Sequence, residues 1–249
     1  MAVTLDGSDD REEADAASKP QQSARVAAVI VAAGRGSRFG NETPKQYLPL
    51  HGQCALRRSI MAFLAVPEIA MVCAVINPDD MALYREAVAG LDEPRLLPPT
   101  QGGSTRAHSV RLGLESMCDT RPDLVLIHDA ARPFVSQRVI CNVIAALDDC
   151  DGACAALPVV DALWKTVEGL AATPVARDGL WRAQTPQGFR FARILEAHRT
   201  SDGSAADDVE VARQHGLSVR MVPGSERNYK ITTPADLERA LADIAAASS

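Results

Sequence analysis

No apolar stretch of this 249-residue chain is long enough to cross a bilayer. Its start, MAVTLDGSDDREEADAASKPQQSA, lacks the basic region followed by an apolar one that marks a secretory signal. An excess of positive charge is missing too. The 26 Lys and Arg stand against 32 Asp and Glu, for a formal net charge of −6, which leaves no electrostatic footprint for DNA or RNA. The six cysteines (Cys54, Cys73, Cys118, Cys141, Cys150, Cys154) contain no C-x-x-C pair, so reduced, buried, inert thiols in a cytoplasmic protein are expected. Residues 1–24 hold six acidic side chains and two basic ones, −4 of the net −6. That composition predicts a disordered acidic tail before one α/β domain at 25–247.

Two familiar phosphate motifs also fail. In RVAAVIVAAGRGSRFGNETPKQYLPL, residues 25–50, the third position of a dinucleotide G-x-G-x-x-G is Phe39, and Gly40 is followed by Asn41 where a Walker A loop needs Lys. What remains is a phosphate loop of another kind. The unbroken apolar run Val26 to Val31 suits a strand buried on both faces. Beyond it, Ala32, Ala33, Gly34 and Gly36 have almost no side chain, so backbone N–H groups can approach phosphate oxygens. Arg38 can fork to two such oxygens and Lys45 can act as a mobile point charge. A glycine turn after a strand is often only a tight connection, the lesser reading even for the Gly pair alone.

Strand and helix patterns then alternate. Helices are predicted at 55–66, 79–89, 104–117, 136–147, 191–199, 207–215 and 234–245. Strands are predicted at 69–76, 95–97, 124–127, 152–158 and 218–222. This rhythm predicts a doubly wound, mostly parallel α/β sheet with ligands beyond the carboxyl ends of its strands. Residues 159–182 break it with Pro, Gly, Thr and two Trp, suiting a projecting β-arm.

Four further segments fall where a ligand over the strand ends could be touched. Gly102-Gly103-Ser104-Thr105-Arg106-Ala107-His108-Ser109 runs into a helix amino terminus suited to an anion or a base carbonyl, with Ser104 as a plain N-cap the simpler reading. In His128-Asp129-Ala130-Ala131-Arg132-Pro133 the carboxylate suits Mg²⁺ or a ribose hydroxyl and Arg132 a second phosphate, unless Asp129 and Arg132 pair as structure. His128 faces back toward the sheet as a core histidine. Residues 177–187 form a turn and a polar-rich strand, and Lys230 precedes a helix cap at Thr233, where a solvated lysine is the ordinary alternative.

The ordered motifs AAGRGSRFGNETPKQYLPL, GGSTRAHSV, HDAARP, GLWRAQTPQGF and NYKITTPADL, spread from Val26 to Leu241, resemble the 2-C-methyl-D-erythritol 4-phosphate cytidylyltransferase family. The resemblance implies a Rossmann-like, nucleotide-diphospho-sugar transferase-like sheet and a homodimer in which the arm meets the partner. It implies transfer of CMP from CTP to methylerythritol phosphate with release of pyrophosphate, Mg²⁺ as cofactor, and no covalent enzyme intermediate. Arg38 and Lys45 would be catalytic, stabilising charge on the α-phosphoryl group. Ala32, Ala33, Gly34, Gly36, Gly103, Ser109, Asp129, Ala130 and Lys230 would bind the nucleotide, with Asp129 at the metal. Arg132, Thr185 and, from the other subunit, Arg177 would bind the alditol phosphate.

Two positions depart from the family pattern: Ala162 after Pro158-Val159-Val160-Asp161, and Ala206 before Asp207-Asp208, each where a hydroxyl is common. The rivals are a ribitol phosphate cytidylyltransferase, against which HDAAR speaks, and a non-catalytic nucleotide-binding regulator, against which the retention of Arg38 and Lys45 speaks. Some relatives are fused to a cyclase of the same pathway; ending after the helix near Ala246, this chain is expected to carry no second domain.

Overall fold

The computed structural model describes residues 24–35 and 43–247. The predicted acidic tail, save residue 24, and the loop residues Gly36 and Arg38 lie outside the described residues. In chain order the strands are β1 Val26–Ala32, β2 Pro49–Leu50, β3 Gln53–Cys54, β4 Ile69–Ile76, β5 Thr100–Gln101, β6 Leu124–Asp129, β7 Gly152–Pro158, β8 Leu163–Val167, β9 Leu170–Val175, β10 Trp181–Arg190 and β11 Val219–Pro223. The helices are α1 Ala55–Leu64, α2 Met81–Ala87, α3 Arg106–Glu115, α4 Gln137–Ala146, α5 Phe191–Thr200, α6 Asp208–Gln214 and α7 Pro234–Ala247, with 3₁₀ turns at Lys45–Tyr47 and Pro78–Asp80.

Seven strands form one sheet in the order β11-β7-β10-β6-β1-β4-β5, parallel throughout except for β10, which runs antiparallel to both β6 and β7. The lack of alternation in β1 reflects burial of both its faces. Val26, Ala28, Ile30 and Ala32 pack with residues of α1 and α4, whereas Ala27 and Val29 pack with α3, α5 and α6. The register sets Val31 beside Asp129 and Ala32 beside Ile76. The ends of β1, β4 and β6 are therefore level, and the loops that leave them share one edge.

Two predicted elements differ. The expected strand at 95–97 is a single bridge from Leu96 to Val72, while the sheet's edge strand is the two-residue β5. Strands that short have no apolar period to read. The helix expected from Ser104 begins at Arg106, and Thr105 caps it, accepting from the His108 N–H at 3.1 Å. Beyond β7, β8 and β9 form a separate two-stranded hairpin, the expected arm. All six cysteines are free thiols, but only Cys73 and Cys154 are buried, so the expectation of burial holds for two and the other four are half-buried.

Gly113 lets α3 lie close to the sheet. A Cβ there would stand 2.6 Å from Val75 Cγ2 and 2.9 Å from Val29 Cγ1. Gly113→Ala gains about 1 kcal/mol of helix propensity but overpacks a tight interface, a cost of about 1–3 kcal/mol. A net loss of about 1 kcal/mol is expected in urea unfolding, and a variant as stable as the wild type would show that helix and sheet have room to part.

Candidate active site

Beyond the level strand ends lies a cavity of about 450 Å³ that gathers Ala32, Ala33, Gly34, Lys45, Gly103, Ser109, Asp129, Ala130 and Lys230, all the nucleotide-site residues expected from sequence that are described. The Gln46 side chain holds the glycine loop from beneath, its Nε2 donating to the carbonyls of Ala32 at 2.6 Å and Gly34 at 3.0 Å. Arg35 holds it from the side. Its guanidinium donates to Asn77 Oδ1 at 3.1 Å and Asp80 Oδ1 at 3.2 Å and pairs with Asp79. Across the cavity, Gly102 approaches Ala33 so closely that a Cβ would lie 2.3 Å from the alanine methyl. The Ser109 hydroxyl accepts from Gly103 N–H at 3.1 Å and donates to the Thr105 carbonyl at 2.8 Å, fixing the Gly103 backbone at the wall.

A second cavity of about 160 Å³ contains Arg132, Thr185, Gln184, Gln187, Ala206 and Asp207, and it shares Arg106, Asp129 and Lys230 with the first. These three form an ion cluster at the junction. Asp129 Oδ1 accepts from Arg106 Nε at 3.2 Å, and Oδ2 accepts from Lys230 Nζ at 2.8 Å. Arg132 Nε stands 4.0 Å from Oδ2 and, although buried, has no hydrogen-bond partner among the described residues. Burial alone would raise the Asp129 pKa; Arg106 and then Lys230 overcome it and hold the carboxyl far below the usual range. Arg106 is likewise disfavoured by burial but kept charged by Asp208 and Asp129.

The arrangement bears on the expected metal role of Asp129. Both Asp129 oxygens are engaged by cations, and no cluster of three His, Cys, Asp or Glu able to hold a metal occurs among the described residues. A divalent cation at Asp129 would lie beside two cations already bonded to it, which disfavours the carboxylate as a Mg²⁺ ligand in this arrangement. The alternative reading of an Asp129 and Arg132 pair is partly realised at 4.0 Å, and Lys230 is bonded to Asp129 instead of being freely solvated.

His128 is the core histidine expected. Its Nε2–H donates to the Arg132 carbonyl at 3.1 Å, so Nδ1 accepts, and the Thr185 hydroxyl donates to it at 3.0 Å. Thr185 Oγ1 in turn accepts from Asp129 N–H at 3.1 Å. Thr185 therefore lines the second cavity with its hydroxyl hydrogen already committed. Arg177 sits on the arm, bonded to the Val160 carbonyl, and lines neither cavity. A larger hollow of about 470 Å³ between Tyr47, Arg57 and Glu86 lies behind the 3₁₀ turn and shares only that turn with the site.

Arg106, Asp208 and His198 are not among the site residues expected from sequence. Arg106 stands in a motif, but its partner Asp208 is 102 positions away, and no spacing pattern links them.

A glycine loop at the end of a central parallel strand, a cation cluster and two adjoining cavities make a site for anionic ligands at the carboxyl edge of an α/β sheet. The sequence profile described as IspD, 2-C-methyl-D-erythritol 4-phosphate cytidylyltransferase, matches residues 26–245, and the chain belongs to that family. It is 47% identical over 86% of its length to 95% of the 2-C-methyl-D-erythritol 4-phosphate cytidylyltransferase of Cereibacter sphaeroides strain ATCC 17023. It is also 52% identical to the bifunctional enzyme IspD/IspF of Paramagnetospirillum magneticum over 87% of this chain but 56% of that protein, so the chain spans about half the length of such relatives. The crystal structure of 2-C-methyl-D-erythritol 4-phosphate cytidylyltransferase from Thermus thermophilus superposes with a TM-score of 0.71 at 32% identity, covering 88% of this chain and 98% of that one. For 4-diphosphocytidyl-2C-methyl-D-erythritol synthase from Anaerococcus prevotii the TM-score is 0.77 at 26% identity, with coverage of 90% and 99%.

Burial lowers the His128 pKa from its ordinary 6.5 to about 4. Between those values the unfolded chain binds the proton and the folded one does not, so stability falls as pH drops through this window, by on the order of 3 kcal/mol from this group. In His128→Gln the fall in urea stability from pH 6.5 to 4 should be shallower than in the wild type; equal slopes would mean that the ring protonates in place.

Proposed function

We propose that the chain transfers CMP from CTP to 2-C-methyl-D-erythritol 4-phosphate, releasing pyrophosphate and forming 4-CDP-2-C-methyl-D-erythritol in the non-mevalonate isoprenoid pathway. The carrying observation is the sharing of Arg106, Asp129 and Lys230 by a larger cavity under a glycine loop and a smaller one beside Arg132. In this reading the triphosphate lies along Ala32, Ala33 and Gly34 toward Lys45, the base lies near Gly103 and Ser109, and the acceptor phosphate enters between Arg132 and Lys230. An acceptor phosphate oxygen bonds to the α-phosphorus as the bond to the bridging oxygen of the leaving pyrophosphate breaks. Charge gathers on the α-phosphoryl oxygens, where Lys45 and Lys230 oppose it from fixed positions; the motif adds Arg38 to this role. Arg132, which lines the smaller cavity, supplies a guanidinium for the acceptor's phosphate.

Mg²⁺, in this proposal, is carried by the phosphates of CTP and supplies charge neutralisation there, with no carboxylate of the chain as its ligand. The test is pyrophosphate release on incubation of the protein with CTP and Mg²⁺ and either methylerythritol phosphate or ribitol phosphate. Release only with methylerythritol phosphate is expected. Release only with ribitol phosphate would reassign the acceptor, and none with either would favour a nucleotide-binding regulator. In the same assay Lys45→Ala should lose about 100-fold in kcat, on the scale of removing one oriented donor; near wild-type turnover in a folded variant would remove Lys45 from the mechanism.

We further propose that the enzyme acts in the cytoplasm as a homodimer paired through its arm. The arm and the start of β10 expose Val160, Trp164, Val167, Leu170 and Trp181, with Leu170 at 74% and Trp164 at 55%, an apolar strip that a second arm would cover. Arg177 would then reach the partner's second cavity. Specific activity should fall on dilution as the dimer dissociates, and full activity in a monomer established by light scattering would exclude this arrangement.

A further inference from the structure

Behind the cluster at the junction lies a buried pair that does not itself line either active-site cavity. Asp208, fully buried at the start of α6, accepts from Arg106 Nη2 at 2.8 Å through Oδ2. Its other oxygen lies in close contact with Nε2 of His198 on α5, at 3.2 Å, short of straight hydrogen-bond geometry. Both side chains are 1% exposed. Arg106 is thus suspended between two carboxylates, Asp129 on the reaction side and Asp208 behind.

We propose that His198 is a positioning residue for cytidylyl transfer: by occupying the far oxygen of Asp208 it fixes the carboxylate plane, and with it the guanidinium of Arg106 at the junction of the two cavities. This rests on the functional reading above. A buried carboxylate with one oxygen uncompensated turns toward whatever donor is nearest. The nearest strong donor to Asp208 is Arg106. Without His198 the carboxylate is free to engage Arg106 through both oxygens and draw it back from Asp129. Nη2 already points to Asp208 while Nε serves Asp129, so a small rotation of the carboxylate trades one contact against the other. Asp129 in turn holds Lys230, so the displacement would reach the ammonium between nucleotide and acceptor. Because Arg106 stands where the two cavities meet, the consequence falls on the reacting geometry more than on the grip on either substrate.

The readouts are kcat and both KM values in the pyrophosphate assay, with CTP affinity by calorimetry. His198→Leu, apolar and of similar bulk, should lose about 10-fold in kcat with both KM values and the CTP affinity within about twofold. His198→Gln, which restores an N–H donor, should recover to within about threefold of the wild type. In an Arg106→Ala background, His198→Leu should have no further effect on kcat, because the group it positions is gone. An unchanged kcat in folded His198→Leu, or an undiminished additional loss in the Arg106→Ala background, would overturn the proposal. Should His198→Leu fail to fold, Asp208→Asn carries the same cycle with the same two outcomes. A wild-type protein that releases no pyrophosphate would instead defeat the functional reading, and is told apart by that control.

Discussion

A single carboxylate at the end of a buried strand organises this site. Asp129 closes β6, and three cations converge on it from separate parts of the chain: Arg106 from the start of α3, Arg132 from the turn after β6, and Lys230 from the segment after β11. Each would repel the others in a partly desolvated pocket without the carboxylate. Register does the rest, since Asp129 lies beside Val31 and brings the cluster under the glycine loop leaving β1. The position of the cations is therefore a property of the sheet and not of mobile side chains on a surface.

Such a cluster is a poor means of stabilising a fold. Burying charged groups costs several kcal/mol per ion, and replacement of buried ion pairs by apolar residues is often neutral or favourable. Its value lies in preorganisation. Lys45, Arg106, Arg132 and Lys230 line the two cavities against the carboxylates of Asp129 and Asp207, an excess of positive charge. An anionic ligand arrives to find the cations already desolvated and oriented, so little reorganisation accompanies the growth of negative charge. The neutral His128 belongs to the same arrangement. It carries no charge into the cluster, yet ties the Arg132 carbonyl to the Thr185 hydroxyl and so fixes the end of β6 to the middle of β10.

Much of this is legible from residue order. The apolar runs of β1 and β4 announce strands buried on both faces, and Lys45, Asp129 and Lys230 stand out because each follows or closes an element whose end can be read. β5 escapes because two residues cannot display a period. β10 reads only as a polar strand, for Gln184, Thr185 and Gln187 are buried while being polar, and their partners lie far away in sequence at Asn228, His128 and Asp207. The link from Arg106 to Asp208 escapes for the same reason: ion pairs across a fold leave no spacing in the chain.

The polarity of β10 has its own physical reason. Gln187 Oε1 accepts the N–H groups of Asp208 and Val209 at 3.1 Å each, supplying the start of α6 with acceptors, while its amide donates to Asp207 at 3.0 Å. Gln184 is bonded in the same way to Ser225 and Asn228. An apolar strand here would leave the Asp208 and Val209 N–H groups without acceptors, with only the Asp207 cap on Glu210 remaining, and let Asp208, and hence Arg106, drift. The smaller cavity is consequently walled by polar groups whose hydrogens are largely spent on one another. Thr185 illustrates the limit: with its hydroxyl hydrogen given to His128, it can offer a bound phosphate contact but no donor. Recognition of an anionic group in that cavity must fall to Arg132, Arg106 and Lys230, of which Arg106 and Lys230 also border the larger cavity. Under the proposed reaction, the acceptor's phosphate and the transferred group would be met by overlapping charges, since Arg106 and Lys230 border both cavities.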